Sequence, residues 1–359
     1  MDDLRAAFPV FERLAYLNAG TNGPVPHVAV EAAATELRQQ ADTGRGDQAF
    51  FEERVLAPVD ELRRRVAALL ACEPDELALT DSTTGGVNAV LSMLELGPDD
   101  EVLTSDEEHP GVLAPLGAGM GRRGFEVRSV PFDQLPAEVG PRTRLVAASH
   151  VSWITGRVVD GAALAAAGAP VLLDGAQGLG AVPVDVRALG CDFYAASGQK
   201  WLCGPNGLGY LFLRAERIGE LVPAWAGYGS LAHTERPLDL VLHEDARRFE
   251  AGVVAPHQSA WALAALDVLE GFGIADVHER AAQLAAHLAS ELEERGLNVA
   301  PRGNSTLVSW ESPDPAADTV ALREQGFVVR HLPGRPYVRA SVGAWTSEKE
   351  LEGLLALAA

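Results

Sequence analysis

Between about Glu76 and Leu213 the chain alternates short β-rich runs with helix-forming stretches, and that pattern leaves few folds open. The strand candidates are Leu77–Thr80, Val102–Thr104, Phe125–Val130, Leu145–Ser149, Val171–Asp174, Phe193–Ala196 and Leu208–Leu213. Segments between them, such as Gly86–Leu94 and Ala162–Ala167, carry helix formers. A strand joined to the next through a helix returns parallel to it, and the helices cover both faces of the sheet. The expected fold class is α/β, with a large domain built on a mostly parallel seven-stranded sheet.

The flanks are different in kind. Upstream, Val28–Ala41 and Phe50–Ala71 read as amphipathic helices, the second broken or kinked near Pro58. Downstream, Ile274–Arg295 is a long helix that Gly296 is placed to stop. Thr306–Trp310, a helical Ala316–Gln325, the paired strand candidates Val328–Leu332 and Tyr337–Val342, and a helix from Ser347 follow. That β-α-β-β-α order describes a small α+β C-terminal domain. We expect a large domain over residues 16–250 and a small one over 251–359 joined by 1–15, with a hinge in the irregular stretch Ala226–His257.

Bulk properties exclude some partners. The 359 residues suffice for two domains with ample core, and 47% apolar with 22% charged residues is ordinary globular composition. A formal net charge of −21 argues against nucleic acid and anionic membrane surfaces. The start, Met1-Asp2-Asp3-Leu4-Arg5, has no basic region leading into an apolar core, and no run approaches the ~18–20 apolar residues of a membrane span. Cys72, Cys191 and Cys203 are scattered without metal-ligand spacing, which suits free thiols in a reducing cytoplasm.

The chemistry concentrates at strand ends. Lys200, in Ala196-Ser197-Gly198-Gln199-Lys200-Trp201, directly follows an apolar strand, where an unpaired ammonium is disfavoured. That position makes sense for an amine kept neutral and reactive, as Schiff-base chemistry requires. Val171–Asp174 delivers a carboxylate at the corresponding end of another strand, the edge where open α/β sheets bind ligands. A lysine for an aldehyde and a carboxylate for a ring nitrogen are what pyridoxal phosphate needs. Asp81-Ser82-Thr83-Thr84-Gly85-Gly86 follows a third strand and opens a helix, as a phosphate cradle or as a plain Ser/Thr cap would. His109 and His150 follow two further strands; His109 suits stacking on an aromatic cofactor, and no paired-ligand spacing supports a metal site. Gly119-Met120-Gly121-Arg122-Arg123-Gly124 matches a dinucleotide pattern, but it precedes a strand instead of following one and reads as a turn.

Taken in order, Thr83-Thr84, Glu108-His109, Ser149-His150, Asp174-Gly175-Ala176-Gln177, Ser197-Gly198-Gln199-Lys200 and Arg339-Ala340-Ser341 resemble the class V aminotransferase family. This is a fold-type I family of pyridoxal-phosphate enzymes, and the match covers nearly the whole chain. The resemblance implies that Lys200 carries the cofactor, Asp174 pairs with its ring nitrogen, His109 stacks on the ring and Gln177 meets the phenolic oxygen. It implies further that Thr83, Thr84, Gly85 and Ser197 hold the phosphate, joined by Gln199 where the family usually has histidine. Arg339 matches the family's carboxylate-binding arginine, and a homodimer is implied.

Within the family the chain looks most similar to the cysteine/cystine C–S lyase branch. Desulfurases carry a nucleophilic cysteine on a loop before the carboxylate-binding arginine; here Arg330–Tyr337 is short and has none. Glu108-His109-Pro110-Gly111, Trp153 in place of an asparagine, and Arg248-Phe249-Glu250 point the same way. Val253 replaces a threonine that reaches the phosphate across the dimer interface in relatives. Asn18, Trp153, Ala19 and Tyr228 are expected around the substrate. The implied reaction is β-elimination on a cysteine-like amino acid; a transaminase or epimerase, or a non-catalytic fold serving a sulfur carrier, are the other readings. In the lyase reading no cysteine is essential: changing Cys72, Cys191 and Cys203 singly to Ala should leave turnover in place. A variant that folds and binds cofactor but is dead would restore the desulfurase mechanism.

Overall fold

A computed structural model describes residues 2–358. A short strand β1 (Ala15–Tyr16) precedes the seven that build the main sheet. These are β2 (Leu77–Thr80), β3 (Glu101–Ser105), β4 (Glu126–Val130), β5 (Thr143–Ser149), β6 (Val171–Asp174), β7 (Phe193–Ser197) and β8 (Gly209–Leu213). Their spatial order is β2-β8-β7-β6-β5-β3-β4. All pairs from β7 to β4 are parallel, while β8 runs antiparallel to both its neighbours. All seven expected strands are present, and the sheet is α/β as read from the sequence. β3, β5, β6, β7 and β8 are buried along nearly their whole length, as expected of strands covered on both faces.

The helices follow their local chemistry. Pro58 has no N–H to give to the preceding turn, and Phe50–Leu56 is accordingly wound as a wider π-type segment before the α-helix Ala57–Leu70. Helix Ile274–Glu294 ends where Gly296 takes φ 83°, with its N–H on the Glu293 carbonyl and that of Leu297 on Leu292. The Gly119–Gly124 pattern forms the last turn of helix Pro110–Arg123 and its left-handed stop, Gly124. It therefore presents no helix N-terminus to a nucleotide.

The C-terminal part contributes β9 (Leu307–Glu311), β10 (Phe327–Val328), β11 (Arg330–His331) and β12 (Tyr337–Ser341). The stretch expected as one strand, Val328–Leu332, is divided: β10 pairs in parallel with β1, whereas β11 joins the antiparallel sheet β11-β12-β9. Leu17, Leu288, Trp310, Val338 and Leu354 share the core of this part. Helix Pro256–Gly271 instead places Ala262, Ala265, Leu266 and Leu269 in the core under the main sheet. Arg5 grips Glu350 through Nη1 at 2.6 Å and Nη2 at 2.9 Å, tying the N-terminal segment to the final helix. Among the described residues no helix is long and apolar enough to cross a membrane.

Candidate active site

β2 and the parallel strands β3 to β7 deliver their C-terminal ends to one edge of the sheet, and β12 faces that edge from the C-terminal part. A cavity of about 210 Å³ lies between them. Thr83, Thr84, His109, Trp153, Asp174, Gln177, Ser197, Gln199, Lys200 and Arg339 all line it. Four of the expected residues stand outside, two of them Ala19, buried in the core, and Tyr228, which is exposed. Gly85 faces the neighbouring open cleft, and its N–H is taken by the Ser82 side chain at 3.0 Å. Asn18 accepts the Thr21 hydroxyl at 2.8 Å, so it reaches the cavity only through Thr21.

Lys200 sits in the turn after β7. Burial, reinforced by the charges of Arg339 and Arg330 and opposed by Asp174, lowers its amine to about 8. Asp174 ends β6 and accepts the Ala176 N–H at 2.8 Å. Burial raises its pKa, with the Lys200 charge and that N–H holding it back. The pair is therefore a basic amine and a carboxylate in one poorly solvated space.

His109 caps helix Pro110–Arg123, its Nδ1 accepting the Gly111 N–H at 3.0 Å, and its ring meets Trp153 edge-on at 4.9 Å. Burial and the three cations around it lower its pKa to about 4, so the ring is neutral with its proton on Nε2. Behind it, Glu108 is buried and accepts Ser105 Oγ at 2.5 Å, Ser149 N at 2.9 Å and Ser149 Oγ at 2.6 Å. That carboxylate ties the ends of β3 and β5 together; burial raises it to about 7 against those three donors.

Arg339 is the most telling group. It is fully buried in β12, donates Nη1 to the Trp153 carbonyl at 2.6 Å, and leaves Nε and Nη2 without partners. Burial and Arg330 pull it down to about 9. Gly20 keeps the approach open, since a Cβ there would stand 3.0 Å from Arg339 Nη2 and 2.8 Å from Ser341 Oγ. Gln177 donates to the Gly20 carbonyl at 2.7 Å and accepts Trp201 Nε1 at 3.0 Å, which leaves one amide hydrogen uncommitted.

Sequence reasoning missed Arg330, Gly20, Thr21 and Ala176 as lining residues. Arg330 pairs in register with Arg339, lies 5.7 Å from the Trp153 ring and donates to Thr21 Oγ1 at 3.1 Å. The signal was there: two arginines at matching positions of a hairpin lie on the same face.

Pyridoxal phosphate fits these residues. The buried hydroxyls of Thr83 and Ser197 have no partners and lie beside the N-terminus of helix Thr83–Met93, a ready anion site. The amine, the carboxylate and the unpartnered guanidinium supply the remaining contacts. Among the described residues no cluster of His, Cys, Asp or Glu could hold a metal.

The fold is that of a fold-type I pyridoxal-phosphate enzyme. The chain belongs to the aminotransferase class-V family, whose profile matches residues 15–351. It is 30% identical to an isopenicillin N epimerase of Streptomyces clavuligerus over 94% of this chain and 92% of the relative. A cysteine desulfurase of Klebsiella pneumoniae is 35% identical over 70% of this chain and 67% of its own. Among solved structures, the cystine C-S lyase C-DES in complex with cysteine persulfide superposes with a TM-score of 0.92 at 30% identity, covering 98% of this chain and 99% of that one.

The unpaired Arg339 generates a two-sided prediction. Arg339→Met should lower kcat/KM by roughly 10²–10⁴-fold, as two charge-assisted hydrogen bonds of ~1.5–3 kcal/mol each are lost. The melting temperature of the cofactor-free protein should stay equal or rise, because a desolvated cation without a counter-charge is removed. A variant with normal kcat/KM would show that the substrate carboxylate binds elsewhere.

Proposed function

We propose that the protein is a pyridoxal-phosphate-dependent C–S lyase acting on cysteine, cystine or a related S-substituted cysteine by β-elimination. The observation that carries this is Arg339, buried and half-satisfied, facing Lys200 and Asp174 across one cavity that no thiol lines. When bound, the cofactor supplies an aldehyde for the substrate amine and a protonated ring that accepts the electron pair released at Cα.

The chain's own groups do the rest. Thr83, Thr84, Ser197 and Gln199 hold the phosphate, Asp174 keeps a proton on the ring nitrogen, and the neutral His109 ring packs against the cofactor. Gln177 gives its remaining amide hydrogen to the phenolic oxygen. Arg339 takes the substrate carboxylate through Nε and Nη2 and so fixes which Cα bond is presented. Lys200, lowered to about 8, is a competent base for the Cα proton near neutral pH. The Cβ–S bond then breaks, sulfur leaves as hydrogen sulfide from cysteine, a persulfide from cystine or a thiol from an S-substituted cysteine, and the three-carbon enamine hydrolyses to pyruvate and ammonia. Trp153 and Arg330 cover the substrate side.

An epimerase or aminotransferase reading rests on the isopenicillin N epimerase relative, which spans nearly the whole chain. Incubation with L-cystine separates the readings. The lyase yields pyruvate and ammonia in equal amounts with a persulfide, and Lys200→Ala yields none. An epimerase yields the D-configured amino acid without pyruvate, and an aminotransferase needs an added 2-oxo acid. A purified wild type that is colourless and takes up no pyridoxal phosphate would overturn the whole reading.

The reading extends to a cytoplasmic homodimer, supported by three unpaired cysteines and by exposed apolar side chains beside the cradle. Trp225 is 58%, Tyr228 57% and Val253 40% exposed. Val253→Thr should tighten cofactor binding by at most about tenfold, the worth of one hydrogen bond of ~1.4 kcal/mol. Light scattering that shows an active monomer would place this segment away from any partner's site.

A further inference from the structure

β2 is an edge strand, paired only with β8. Thr80 ends it, and Ser82, Thr83 and Thr84 of the phosphate cradle follow at once. Its outer side carries the Leu77 carbonyl and the Leu79 N–H, which a neighbouring strand would ordinarily satisfy. No strand is there. Arg63 Nη1, from helix Ala57–Leu70, donates to the Leu77 carbonyl at 2.7 Å, and Glu250 Oε1 accepts the Leu79 N–H at 2.8 Å. Arg63 Nη1 also bonds Glu250 Oε1, and Nη2 lies 3.3 Å from Oε2. Both residues are buried, 5% and 8% exposed. A residue of a parallel neighbour would give one N–H to Leu77 and take one from Leu79; the ion pair supplies the same donor and acceptor.

Glu250 is itself held at the backbone. Its N–H goes to Arg247 at 2.9 Å, and its carbonyl accepts Ser230 Oγ at 2.8 Å. Gly229 is packed so close that a Cβ there would stand 2.9 Å from the Glu250 carbonyl oxygen. One carboxylate thus fastens the irregular 226–255 stretch to the strand that leads into the cradle. Downstream, Thr80 Oγ1 donates to the Ser82 carbonyl at 3.1 Å, so a shift of β2 is passed to the cap residue of the cradle helix.

We infer that Arg63 and Glu250 are positioning residues for cofactor retention: a buried ion pair stands in for an absent eighth strand and holds β2, and with it the Ser82–Thr84 cradle, in register. The inference rests on the pyridoxal-phosphate reading above. A salt bridge that merely filled space would leave phosphate affinity alone once its charges were removed together; a positioning pair would not.

The test uses hydrogen exchange and cofactor titration. In the cofactor-free wild type, the Leu79 amide should be protected to the level of the β8-facing amides of β2. Rapid exchange of Leu79 in the folded protein would overturn the inference. This arm holds whether or not the protein takes up pyridoxal phosphate, so it separates failure here from failure of the cofactor reading. For the second arm, Arg63→Met/Glu250→Leu removes both charges together, and Glu250→Gln keeps an acceptor for Leu79. The double variant should fold, expose the Leu79 amide, and raise the dissociation constant for pyridoxal phosphate at least tenfold. Glu250→Gln should keep Leu79 protected and bind within about threefold of wild type. Wild-type affinity in a folded double variant would overturn the inference. If the double variant does not fold, Glu250→Gln decides: wild-type Leu79 protection with a tenfold loss of cofactor affinity would overturn it, because the acceptor would then be irrelevant to the cradle.

Discussion

Three cations, Lys200, Arg330 and Arg339, line one small cavity with a single carboxylate, Asp174, among the described residues. Glu108, the other acid close by, is turned away and spends its oxygens on Ser105 and Ser149. A local excess of positive charge inside a chain of net charge −21 is unfavourable unless anions complete it. Two do so in the proposed complex, a phosphate at the Thr83–Ser197 end and a carboxylate at Arg339. Burial, reinforced by the neighbouring cations, lowers Lys200 to about 8 and keeps His109 neutral. Basicity of the amine and neutrality of the ring thus share one setting, a buried space rich in cations.

How the cations come together depends on topology. β6 and β7 are adjacent and parallel, with Asp174 opposite Ala195, so the Asp174 and Lys200 turns emerge side by side. Arg330 and Arg339 come from an antiparallel pair that belongs to another sheet. That division explains what could be read in advance. Strand-end chemistry is local, and the apolar runs before Asp174 and Lys200 announced both the strand and its functional end. The approach of β12 to that edge is tertiary, so Arg339 entered through a family resemblance, whereas Arg330 was quoted without a role.

Other features were out of reach for physical reasons. Pairing of Glu250 with Arg63 spans 187 residues, and no local periodicity records it. The split of 328–332 between two sheets follows from competition between β1 and β12 for neighbouring backbone, which propensity cannot weigh. Asn18 was expected around the substrate, but its side chain accepts the Thr21 hydroxyl and does not line the cavity. Pro58 and Gly296 were legible because their effects on the backbone are intrinsic to the residue.

The fate of sulfur follows from what surrounds the cavity. A desulfurase needs a thiol that can swing to the substrate and be released with its cargo. Cys203 cannot do so: it is 1% exposed, held at φ 56°, with its Sγ 3.8 Å from the Trp201 carbonyl, and burial pushes its thiol far above the usual range. Nor can the β11–β12 connection supply a mobile arm. Leu332 N–H bonds the Tyr337 carbonyl at 3.0 Å, Arg335 N–H bonds Leu332 at 3.1 Å, and the Arg335 side chain is anchored to the Asp106 carbonyl at 2.7 Å. The turn is closed and pinned at its tip. With no acceptor thiol in reach, cleavage of the C–S bond by transfer is blocked, whereas elimination needs only a base at Cα and an electron sink. In the proposed reaction Lys200 and the ring that Asp174 would hold provide those two, so sulfur would leave as a free product instead of being handed to the protein.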